Sequence, residues 1–228
     1  MKLYEDEHVL VWHKKAGISV FPLHSDPSAP CVQYEILKYH PSLQNIQIEG
    51  FSCGILHRLD IPTSGAIYIA KNISYFHKLR ELFVSKELLK NYLFLSSEFS
   101  KDTLQCDLPI GHHPKNKRKM LVQKNKNYRC RGKWYPAYTS FQMLGQHQNM
   151  FLYKAQMKSG IMHQIRAHAS FCGIPLDGDT LYGSQKASPL KTGFALHHRG
   201  ITHRQLPKIE LPPPSNWEPY ISSKIFPY

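Results

Sequence analysis

With 29 Lys and Arg against 16 Asp and Glu, the 228-residue chain carries a formal net charge of +13, so its field draws polyanions and nucleic acid is the first partner to consider. The length suffices for one substantial core or two joined subdomains, read as one catalytic unit over 1–228. A run of about 18 apolar residues and a basic-then-apolar leader are both missing, which argues against a membrane protein or an exported one; a cytoplasmic chain is expected.

In chain order, Val9 to Val11 read as a strand, Lys15 to Gly17 as a turn, and Cys31 to Tyr39 as a short helix. Gly65 to Ala70 is a compact apolar strand followed by Asn72, a helix N-cap candidate. Tyr75, Phe76, Leu79, Leu82 and Phe83 recur at helical spacing, which predicts an amphipathic helix over 73–85. Leu88 to Leu95 alternates as a strand with Lys90, Tyr92 and Phe94 on one face. Nine Lys or Arg and no acid lie between Lys115 and Lys133, a localised basic loop. Strands are expected at Ala137 to Leu144 and Met150 to Met157, and a helix from about Met162 to Cys172, stopped by Gly173 and Pro175. On that helix Met162, Ile165, Ala169 and Cys172 form the apolar stripe, and His163, Arg166 and Ser170 lie on another face. Phe194 to His198 reads as a late strand, and the Pro-rich tail after it as an extended wrap.

The five scattered cysteines make no Cys-x-x-Cys pair and read as reduced packing residues. His112-His113 and His197-His198 are neighbours whose side chains diverge in a strand, and His163 and His168 are spaced poorly for a metal; no metal site is expected. The loop His57-Arg58-Leu59-Asp60-Ile61-Pro62-Thr63-Ser64-Gly65 concentrates a carboxylate, a guanidinium, hydroxyls and a glycine at the mouth of a strand. On spacing alone Asp60 reads as a turn aspartate, Arg166 as a surface helix residue and Tyr92 as core.

The ordered motifs change that balance. Residues 57–65, Lys90-x-Tyr92, Gly160 to His168 and Gly178 to Gly183 together resemble the RluA family of RNA pseudouridine synthases, with Ile161 and Met162 departing from its usual Arg-Thr. Pro109 to Met120 is similar to the family's basic, RNA-entering loop, with His112 where an arginine is common; Lys15 stands where a proline often follows lysine. The resemblance implies an α+β pseudouridine synthase fold: a mixed, largely antiparallel sheet flanked by helices, with a central catalytic cleft. It implies isomerisation of uridine in rRNA or tRNA without cofactor, by Asp60 as nucleophile, Tyr92 stacking on the base and Arg166 pairing with the aspartate. RNA contacts are expected from His57, Arg58, Lys90, His112, His113, Lys115, Lys117, Arg118, Lys119, His163 and Gln164. Asp177 and Asp179 resemble a metal pair but read as a turn. The small N-terminal RNA-binding domain of many relatives is not expected here, and the protein is expected to act as a monomer. The rival reading is an RNA-binding or RNA-chaperone protein on the same fold; a metal-dependent RNA hydrolase is more distant.

Overall fold

Val9 and Val11 alternate with Leu10 and Trp12, and that two-residue period starts the first sheet of the protein, a computed structural model describing residues 1–48, 50–183 and 193–222. The described chain forms two compact units, one of Met1–Leu89 with His198–Leu211 and one of Lys90–His197 with the residues from Pro212 onward. In the first, β1 (Lys2–Glu5), β2 (Val9–Lys14) and β5 (Ser64–Ala70) pair antiparallel in the order β1-β2-β5, with α1 (Val32–Tyr39) and the two-residue strands β3 (Gln47–Ile48) and β4 (Phe51–Ser52) between β2 and β5 in sequence. The helix α2 (Ile73–Val84) follows, its first turn capped by the Asn72 side chain accepting from the Tyr75 amide at 2.8 Å.

Helices cover both faces of this sheet. Phe76, Leu79 and Leu82 of α2 pack with Val9, Val11, Ala66, Tyr68 and Ala70, whereas Trp12 on the opposite face donates its indole N–H to Glu35 of α1 at 3.1 Å. That is why β5 reads as a continuous apolar run and is buried at every residue. Truncating a fully buried side chain such as Leu79 to Ala costs roughly 2–5 kcal/mol in such a core.

In the second unit, β6 (Leu89–Ser96), β12 (Met150–Met157), β11 (Thr139–His147) and β7 (Thr103–Cys106) pair antiparallel in the order β6-β12-β11-β7. Tyr92 stands opposite Ala155, and Ala155 opposite Phe141, so the three share one face. Phe94 is on that face too, stacked on Tyr153 at 5.1 Å. The helix α3 (Gln164–Phe171) covers the same face, bonding Thr139 through Gln164 and His168. It begins later than expected, because His163 adopts a left-handed conformation with φ 55°, and is buried from Gln164 to Ala169 rather than amphipathic. Its end is as expected: Gly173 at φ 77° donates to Ser170 O and Ile174 to Ala169 O, closing the last turn.

Two expectations are corrected. Residues 115–133 are not a loop throughout: β8 (Ile110–His112), β9 (Met120–Val122) and β10 (Arg131–Tyr135) form a small sheet in the order β10-β8-β9. Ile110, Met120 and Val122 are buried, but strands this short show no alternation in sequence. The tail is not simply extended either, since Ser215–Tyr220 forms a 3₁₀ turn that buries Trp217 among Leu93, Leu95 and Leu152. The late strand β13 (Leu196–Thr202) runs four residues beyond expectation and places His198–Thr202 beside β5. Among the described residues no helix is long and apolar enough to cross a membrane.

Candidate active site

In the first unit, Asp60 sits half-buried in the loop that enters β5, between buried Leu59 and exposed Ile61. The Thr63 amide donates to Asp60 O at 3.0 Å, so the loop turns at the aspartate. What holds that turn is Lys14, a residue not singled out from sequence. Its ammonium, wholly buried at the end of β2, donates to the carbonyls of Thr63 at 2.6 Å, Ile61 at 2.9 Å and Lys15 at 3.1 Å. All three protons of the lysine are thereby used. Burial pushes its pKa down to about 8, opposed by attraction from Asp60 and then Glu35. The signal in the sequence was a cation on the same strand face as Leu10 and Trp12.

The flanks of the loop are set by packing. Gly65 has φ 133°, and a Cβ there would lie 2.2 Å from His198 O, so only glycine admits this approach of β13. His57, expected at RNA, is half-buried, and the packing it makes is within the fold: its Nε2 accepts the Tyr68 amide at 3.1 Å and its ring stacks on Phe83 at 5.5 Å. Arg58 is exposed.

In the second unit, Tyr92 is buried on β6, with 6% of its surface exposed, on the face that α3 covers. Arg166 of α3 is buried as well, which overturns the surface reading. Its Nε and Nη2 donate to Asp179 Oδ2 and Oδ1, both at 2.8 Å. Asp179 is 2% exposed and also accepts the amides of Leu181 and Tyr182, so the acidic turn expected there doubles as the counter-ion of the arginine. The guanidinium lies over the rings of Tyr182 and Phe194 at 5.2 and 5.1 Å. Gly178 lets the turn close, because a Cβ there would overlap Gly193 O.

Of three more residues expected at RNA, Lys90 and Gln164 are buried and His163 is half-buried. The Lys90 ammonium is buried and donates to the carbonyls of Lys158 and Ser159, both at 3.1 Å, holding the strand-to-helix loop. Gln164 is 1% exposed; its amide bonds Tyr138 O and Thr139 while its carbonyl accepts from Ser159 and Ile161. His163 Nδ1 is 3.1 Å from the Tyr182 hydroxyl. His113 caps a turn, accepting the amides of Lys115 and Asn116, and His112 is half-buried. Lys115, Lys117 and Arg118 are exposed on that turn, and Lys119 lies 5.3 Å over the Tyr182 ring. Among the described residues no group of three His, Cys, Asp or Glu side chains is placed to hold a metal ion.

A sequence model of the family described as RNA pseudouridylate synthase matches residues 8–171, which include the Asp60 loop, Tyr92 and Arg166. The chain belongs to this family. It is 31% identical over 188 residues to a ribosomal large subunit pseudouridine synthase D of Nitrosomonas europaea, covering 82% of this chain and 51% of that one. To an uncharacterized RNA pseudouridine synthase, YlyB, of Bacillus subtilis it is 33% identical over 196 residues, 85% of this chain and 61% of that one. The chain thus spans about half to three-fifths of the length of these relatives. In fold it is similar to human RNA pseudouridylate synthase domain containing 4, with TM-score 0.74 and 20% identity over 96% of this chain and 92% of that one. Human RNA pseudouridylate synthase domain containing 1 superimposes with TM-score 0.70 and 21% identity, over 88% and 76%. The α+β, largely antiparallel fold expected from the motifs is therefore the observed one.

Proposed function

We propose that the chain converts specific uridines of rRNA or tRNA to pseudouridine, as one catalytic unit that is monomeric and cytoplasmic. The observation that carries this reading is the construction around Asp60: a carboxylate on a loop whose backbone is tied at three carbonyls to one buried ammonium. A plain surface turn has no need of that expense in desolvation. A positioned carboxylate next to a cation is the arrangement that nucleophilic catalysis requires.

In the proposed reaction the Asp60 carboxylate attacks the uridine, the N1 glycosidic bond breaks, and the uracil turns and rejoins the sugar through carbon 5. The proton on carbon 5 leaves, N1 takes up a proton in its place, and the aspartate departs unchanged. Atoms and electrons balance within the nucleotide, so the step consumes no redox equivalent and no co-reactant. Tyr92 stacks on the uracil, and Arg166, oriented by Asp179, takes the part of the arginine that the family motif pairs with the aspartate. The base must leave any stack to be reached. Arg58 and the exposed cations Lys115, Lys117 and Arg118 grip the flanking strand by its phosphates.

Asp60→Asn tests this directly, since it removes the nucleophile and keeps the shape. Pseudouridine formation on ribosomal or transfer RNA should fall more than roughly a hundredfold while RNA affinity and the melting temperature stay close to wild type. Residual activity above about a tenth of wild type would take Asp60 out of the role.

A further inference from the structure

Tyr182 is pinned at both ends. Its amide donates to Asp179 Oδ1 at 3.2 Å, and its carbonyl accepts from the Ser170 hydroxyl of α3 at 2.7 Å. At the other end the phenol oxygen accepts the Met120 amide of β9 at 2.6 Å and lies 3.1 Å from Nδ1 of His163, whose left-handed backbone precedes α3. One ring therefore bridges the strand that leaves the basic turn and the helix that carries Arg166. Two cations lie over it, the Lys119 ammonium at 5.3 Å and the Arg166 guanidinium at 5.2 Å from its centroid. They share the quadrupole of a single tyrosine, and as like charges they repel.

The two cations are held differently. Arg166 is 8% exposed, and its two bonds to Asp179 fix one edge of the guanidinium. The tilt of its plane about that edge is left to the rings of Tyr182 and Phe194. Lys119 is half-buried on a flexible stem of four carbons, next to exposed Arg118 and Lys117. Of the groups on the Tyr182 ring, it is the one that an incoming polyanion can draw away.

We propose that Tyr182 is a positioning residue for Arg166 and that RNA acts on it through Lys119. A phosphate that takes the Lys119 ammonium off the ring leaves the ring to Arg166 alone, and the guanidinium settles against it. The inference rests on the reading of Arg166 as part of the reaction, and it adds how substrate completes that part of the site. The charge of the RNA backbone, and not the uracil, gives the signal, so a free uridine, which carries no phosphate, leaves Lys119 in place.

The test reads Arg166 itself, in the whole chain labelled with 15N-arginine. Its Nε–H signal, assigned by its loss in Arg166→Lys, should move upfield when an rRNA stem-loop transcript is added, because the guanidinium comes closer to the ring face. Lys119→Ala should show a shift in the same direction with no RNA present, and in Tyr182→Leu the RNA should produce none of it. At saturating RNA the single-turnover rate of Tyr182→Leu should fall about tenfold with the salt slope of binding kept, and Tyr182→Phe, which keeps the ring, should recover most of that loss. An Arg166 signal in Lys119→Ala that sits where the RNA-free wild type has it overturns the proposal, and so does a Tyr182→Phe as slow as Tyr182→Leu. The Lys119→Ala spectrum needs neither RNA nor turnover, so it decides even where Tyr182→Leu fails to fold. A wild type that forms no pseudouridine while that spectrum shifts as expected would sink the proposed reaction and leave the contest for the ring standing.

Discussion

Arg166 and Asp179 meet through two parallel hydrogen bonds of 2.8 Å, with both side chains almost wholly out of water. Breaking such a pair by removing one partner costs roughly 3–5 kcal/mol, because the other charge stays buried, whereas replacing both by apolar groups is often neutral. Asp179→Asn should therefore lower stability and also, by loosening Arg166, the single-turnover rate by more than about tenfold at saturating RNA. The double replacement Arg166→Met with Asp179→Leu should recover much of the stability and none of the rate. Urea denaturation and single-turnover assays on the three proteins separate the two effects; a double variant that regains the rate would remove the pair from catalysis.

That pair also marks what a linear reading reaches. Asp177-Gly178-Asp179 was legible as a turn, because glycine between acids has a local cause, but the partner of Asp179 lies 13 positions away and no local pattern names it. Similarly β5 and the Asn72 cap were legible, one from a seven-residue buried run and the other from a single side chain bonding its own helix. The strands of the small basic sheet were not, since three residues among lysines carry no period. Family motifs pointed to Asp60, Tyr92 and Arg166; they did not distinguish residues at the surface from Lys90, His57 and Gln164, whose polar atoms are spent on backbone and neighbours.

Lys14 gives the site a pH dependence of two opposite signs. Its folded pKa of about 8 lies below the ordinary 10.5, so between those values the unfolded chain binds the extra proton and stability rises with pH. Over the same window the folded protein loses one of three donors and the charge beside Asp60, so the single-turnover rate should fall from about pH 8 upward. In Lys14→Arg, which stays protonated, this alkaline limb should disappear from the measurable range. An identical limb in both proteins would assign it to another group.

Gly65 and Gly17 offer a matched pair, both at positive φ. At Gly65 an added Cβ meets His198 backbone atoms at 2.2 and 2.6 Å, while at Gly17 nothing lies within 4 Å. Gly65→Ala should cost more than roughly 3 kcal/mol and lose soluble protein, and Gly17→Ala only about 1 kcal/mol of backbone strain. Denaturation midpoints of the two variants decide; equal losses would mean that the approach of β13 to β5 relaxes freely.

The turn between β8 and β9 is built to display charge. His113 caps it through the amides of Lys115 and Asn116, Asn116 accepts from Arg118 N at 3.0 Å, and His113 N closes it on Lys119 O at 2.9 Å. With the backbone so fixed, Lys117 and Arg118 point into solvent, and Lys119 rests on Tyr182. If these cations neutralise RNA phosphates, binding weakens with salt by counterion release, about 0.7 log units per log unit of salt for each contact on a single strand and about 0.9 on a duplex. Replacing Lys117, Arg118 and Lys119 together by Ala should then flatten the log–log slope by about two units, with similar losses for RNAs of different sequence. Single-turnover rates at saturating RNA should stay near wild type, because the turn grips substrate while Asp60 performs the chemistry. Binding across a salt series, followed by those rates, distinguishes three outcomes. An unchanged slope makes the turn a solvated face. An unchanged affinity with a collapsed saturating rate moves it into the active site, by way of Lys119 and Tyr182. A flattened slope with the rate kept places the turn on the path of the RNA.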